Sequence, residues 1–186
     1  MYWMESKLRI SPGICILGAL GMLVLPVQWV TGILIAALVH ELSHTATVML
    51  CGGKIHSISL GSRGGRIEAG MLSPGRAVFC ALAGPLGSFT MLIFSEFFPE
   101  AACCGLVQGL YNLLPIYPLD GGRILRFLLP EPACRAIEVF FLIAGTGLSL
   151  WIGVFYLDLG YISAISLWFP VIQRKFSCKD GKLAVQ

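Results

Sequence analysis

The chain has 186 residues, of which 56% are apolar and only 12% charged, with a mean hydropathy of +0.82. A soluble domain carries about 25% charged residues, so the polar coat of a water-soluble globule is missing, and a disordered chain is excluded with it. A net charge of +3 with no basic cluster among exposed aromatics excludes a nucleic-acid partner, and seven cysteines set mostly in apolar runs argue against a disulfide framework.

An all-α polytopic membrane protein remains, in contact with the lipid bilayer. A helix needs about 20 mostly apolar residues to cross the bilayer core, and six segments meet or approach that length. Ile10–Val27 is uncharged. Lys7 and Arg9 before it imitate a signal peptide, but no small-x-small cleavage site follows, so it reads as an uncleaved first span. Trp29–Leu50 is apolar except for His40-Glu41-Leu42-Ser43-His44 at its centre. Cys51–Gly75 follows, rich in Gly, Ser and Arg. Alternation over His56–Leu60 and glycines at 61, 64 and 65 predict a small β-hairpin or re-entrant element at the inner interface.

Ala77–Phe98 is the third span. Its Ala83, Gly84 and Gly87 are small enough for close helix contact. Ala101–Leu119, the fourth, is uncharged and runs into Asn112-Leu113-Leu114-Pro115-Ile116-Tyr117-Pro118-Leu119-Asp120-Gly121-Gly122. Ala133–Tyr156 carries Arg135 and Glu138 near its start, read as a pair, and Leu159–Ile172 is a short sixth span. The expected organisation is one transmembrane domain over 1–173 and a short basic cytoplasmic tail over 174–186. With both termini in the cytoplasm of a bacterial cell, all 13 basic residues fall on the inner side of the cell membrane, as the positive-inside rule asks.

The second span carries the chemistry. His40 and His44 are i and i+4, so both imidazoles leave one helix face about a turn apart, a spacing that suits two ligands of one metal ion. Glu41 stands beside the first as a general base for a metal-activated water. The alternative is a polar face that merely packs, but an ionisable side chain at mid-bilayer costs at least about 2.5–3.5 kcal/mol. Two histidines leave a catalytic zinc one protein ligand short. Among the other acids, Asp120 ends an uncharged span where Pro115 and Pro118 break helical bonding. At 1.5 Å per residue, His44 and Asp120 come within about 6 Å in depth. Asp120 is therefore the candidate third ligand, or else a helix-terminating acid. Asn112 could hydrogen-bond a substrate backbone or a developing negative charge, or only a neighbouring helix.

Taken together and in this order, HELSH at 40–44 and NLLPIYPLDGG at 112–122 resemble the paired motifs of the site-2 protease family of intramembrane zinc metalloproteases. The resemblance covers Trp29 to Arg126. It implies one zinc ion per chain held by His40, His44 and Asp120, Glu41 as catalytic base and Asn112 as a substrate-orienting residue. It also implies a membrane-embedded or membrane-associated protein as substrate. Ala83–Ser88 is similar to the family's A-G-P-x-x-N signature, with Ser88 where Asn is usual. The short loops are most similar to the stage IV sporulation protein FB branch, whose CBS domain is not expected here, so ATP regulation and a sporulation substrate carry over weakly. A homo-oligomer or a regulatory membrane protein stays open. Two other classes compete: a metal or proton transporter using the intramembrane His, Glu and Asp, and an inactive membrane scaffold.

Overall fold

The computed structural model describes residues 7–10, 19–53, 55–61, 64–69, 73–156, 167–168 and 171. They divide into two compact units, one within 1–111 and one within 112–183.

Prolines set most helix boundaries of the first unit. Residues 19–24 are helical, and Pro26 precedes helix α1, Val27–Leu50. Helix α2, Pro74–Thr90, begins on a proline, where the missing N–H is no loss. A 3-10 turn over Met91–Phe94 extends it, and α3, Pro99–Asn112, again starts on proline. Strands β1, Lys7–Ile10, β2, Ile55–Gly61, and β3, Gly64–Ala69, form a three-stranded sheet in that order. Strand β1 lies parallel to β2, pairing Lys7 with Ser57 and Ile10 with Leu60, and β2 is antiparallel to β3. Ile10 was expected to open a span and is instead the end of a strand. The rest of that segment up to residue 18 lies outside the described residues, as do most of Leu159–Ile172 and the tail.

Helix α1 is apolar all round, and its hydroxyls satisfy themselves. Ser43 donates to the Val39 carbonyl, Thr45 to Glu41 and Thr47 to Ser43, each at 2.8 Å. Such back-bonding removes the cost of a hydroxyl in an apolar setting. Against this helix packs α2, through small residues. Ala36 is fully buried with Met91 and Ala101, and a Cβ on Gly87 would run into the Ser43 hydroxyl.

The second unit holds a bend and two helices. Residues 113–119 are irregular, and α4 spans Asp120–Leu128 and α5 Glu131–Tyr156. The fourth span, expected to run as far as Leu119, is thus helical only to Asn112. Pro115 and Pro118 supply no N–H to a helical ladder, and the bend is closed by local bonds, Ile116 N–H to Leu114 and Leu119 N–H to Ile116. Ile116 is fully buried as its anchor. Arg135, expected to pair with Glu138, pairs with Glu131 one turn back at 3.5 Å, and Glu138 is reached by Arg126 at 4.0 Å.

Among the described residues, three helices, Val27–Leu50, Pro74–Phe94 and Glu131–Trp151, are long and apolar enough to cross a membrane. Many of their large apolar side chains, such as Leu34, Leu38, Ile93 and Phe140, stand exposed, as a lipid-facing surface requires.

Candidate metal centre

The histidine pair lies on the buried side of α1. His40 is 3% exposed, His44 and Glu41 are half-buried, and the two rings meet edge to face with centroids 4.8 Å apart. Their Nε2 atoms are 3.2 Å from each other. The far side of each ring is tied to α2. His44 Nδ1 donates to the Cys80 carbonyl at 2.7 Å. A carbonyl only accepts, so in the neutral ring the proton sits on Nδ1 and Nε2 presents its lone pair. His40 Nδ1 lies 3.0 Å from the Ser88 hydroxyl.

Space in front of the pair comes from an absent side chain. A Cβ on Gly84 would stand 2.8 Å from Nε2 of His40 and closer still to the ring of His44. Any residue but glycine at 84 would fill the place that Nε2 of both rings faces.

In the second unit, Asp120 is 4% exposed and is the first residue of α4. A carboxylate there is favoured by the positive end of the helix dipole, and Arg123, one turn on, stands 3.6 Å from it. Behind Asp120, Gly122 packs directly on the backbone of Ile116 and Tyr117, where a Cβ would clash at 2.4 Å. Arg126 stacks its guanidinium 4.2 Å from the centre of the Tyr117 ring and pairs with Glu131 at 3.7 Å, pinning the bend to α5. Asn112 closes α3, half-buried.

Among the described residues, the first unit thus offers the two imidazoles of His40 and His44, and the second unit offers the carboxylate of Asp120, as side chains able to bind a metal ion. Sequence reasoning missed the supporting groups. The Cys80 carbonyl has no side-chain signature, Gly84 was visible only as a small residue, and Ser88 only as a departure from the A-G-P-x-x-N signature.

Comparison with known proteins agrees with this chemistry. Residues 68–152 match the model of Peptidase family M50, a stretch that includes the 112–122 segment. The chain is 32% identical over 111 residues to the zinc metalloprotease MJ0392 of Methanocaldococcus jannaschii, covering 52% of this chain and 33% of that protein. It is 31% identical over 145 residues to stage IV sporulation protein FB of Bacillus subtilis, covering 69% of this chain and 50% of that one. It thus spans between a third and a half of these relatives' length. The solved structure of a site-2 protease from Methanocaldococcus jannaschii shares the fold with a TM-score of 0.60 at 23% identity, over 91% of this chain and 89% of that one. By sequence the chain is similar to Peptidase family M50 and to zinc metalloproteases, and by fold it resembles a site-2 protease.

Proposed function

We propose that the chain is an intramembrane zinc metalloprotease, cutting a peptide bond within or beside a transmembrane segment of a membrane-associated protein. The observation that carries this reading is the convergence of two imidazole Nε2 atoms, 3.2 Å apart, at the middle of an apolar helix. The donor set fits zinc. Two neutral imidazoles and a carboxylate are three protein ligands of a catalytic site with one position left open.

One zinc ion held by His40, His44 and Asp120 would supply Lewis-acid polarisation of the scissile carbonyl. Glu41, next to His40 in the same helix, takes a proton from the attacking water and gives it to the leaving amine. Asn112 steadies the substrate backbone or the charge that develops on its carbonyl oxygen. The substrate must be unwound at the cut, because a helix hides its carbonyls in its own hydrogen bonds. Strand β3 has a free edge in the described sheet order, which favours holding a substrate extended by strand addition.

The rest of the reading follows from charge and span placement. The chain is a single domain to residue 173 with a basic tail, six spans, and both ends in the cytoplasm of a bacterial cell membrane. Glu41→Gln is the test. It should lower cleavage of a membrane substrate by about 10²–10⁴-fold, the usual worth of a general base, while zinc content stays at one per chain. Near wild-type cleavage by that variant would sink the mechanism.

A further inference from the structure

The geometry points to Ser88 as a positioning residue for His40, holding the imidazole in the tautomer that leaves Nε2 open to a metal ion. The inference rests on the zinc reading above. If His40 binds through Nε2, the neutral ring must carry its proton on Nδ1. The atom facing Nδ1 is the Ser88 hydroxyl oxygen at 3.0 Å, so Nδ1–H donates and Ser88 accepts. His44 solves the same problem with the Cys80 carbonyl at 2.7 Å. The two rings are therefore oriented by one helix, α2, through two different acceptors eight residues apart.

Two further observations separate this from packing. Ser88 is fully buried and His40 is 3% exposed, so bulk water does not compete for the bond. The backbone at 88 is also held close against α3, since a Cβ on Gly105 would stand 2.8 Å from the Ser88 carbonyl oxygen.

The test measures zinc affinity of the detergent-solubilised full chain by chelator competition, together with the visible spectrum of the cobalt-substituted protein. Ser88→Ala should bind zinc about 10–100-fold more weakly, the usual range for an outer-shell partner, and shift the cobalt bands. Ser88→Thr or Ser88→Asn, which keep an acceptor, should recover most of that loss. Unchanged affinity and spectrum in Ser88→Ala overturn the proposal. So does a loss that neither Thr nor Asn restores, because size and not the acceptor is then what counts. His40→Ala runs alongside. If it binds zinc as tightly as the wild type, the metal reading itself fails and takes this one with it.

Discussion

The proposed ligands come from two unlike pieces of backbone. The histidines stand on α1, an uninterrupted helix of 24 residues whose own hydroxyls are back-bonded. Asp120 stands at the start of α4, directly after seven irregular residues bounded by Asn112 and closed by two short turns. A regular helix sets ligand spacing by its pitch alone, and only the outer nitrogens need help from a neighbour. A broken chain has no pitch to rely on. Its carboxylate is aimed by a buried isoleucine, an arginine stacked on Tyr117 and a glycine pressed against the bend. Disturbing α1 should therefore damage metal binding locally, whereas disturbing the bend should cost fold stability as well.

The strongest test of that contrast removes one ligand from each piece. His44→Ala and Asp120→Asn should each weaken zinc binding beyond the about 100-fold that bounds outer-shell changes, with hydrolysis lost in both. Full zinc affinity in Asp120→Asn, measured by chelator competition, would remove the bend from the metal centre. Gly84→Ala comes next. Its new methyl group enters the place faced by both Nε2 atoms, and a misplacement of about 1 Å is worth about 100-fold in rate. Zinc content and cleavage rate should fall together while the fold survives. Retained activity in that variant would mean the metal lies elsewhere.

A smaller effect is expected in the second unit. Arg126→Ala removes the stacking on Tyr117 and an ion pair to buried Glu138, which should destabilise the protein by about 1–3 kcal/mol. Thermal unfolding in detergent with zinc present and absent reads this directly, and an unchanged midpoint would show that the bend needs no such clamp. Thr45→Val is the smallest. Its hydroxyl bonds to the Glu41 carbonyl of its own helix, so stability should stay within about 0.5 kcal/mol.

How much of this was legible in the sequence divides along the same line. The spacing of His40, Glu41 and His44 declares their common face because the helical period is fixed. Asp120 could be singled out because a proline-interrupted, glycine-terminated stretch must stop being a helix. The sequence does not say where it stops. Asn112 ends α3 well before either proline, and Asp120 begins a helix instead of finishing one. Ion-pair choices were equally hidden. Arg135 could reach Glu131 or Glu138 at helical spacing, and the approach of Arg126 from α4 leaves it to Glu131. Strand β1 went unread because its four residues adjoin an apolar run that dominates any hydropathy average.

The tie between His44 and the Cys80 carbonyl has a thermodynamic consequence. An immobilised side chain forfeits about 0.5–1.5 kcal/mol of rotamer freedom on binding. On α1 both rings are already fixed by α2, so that entropy is surrendered when the polypeptide folds and not when the ion arrives. Metal capture by the histidine pair should then carry a small entropic penalty and vary little with temperature.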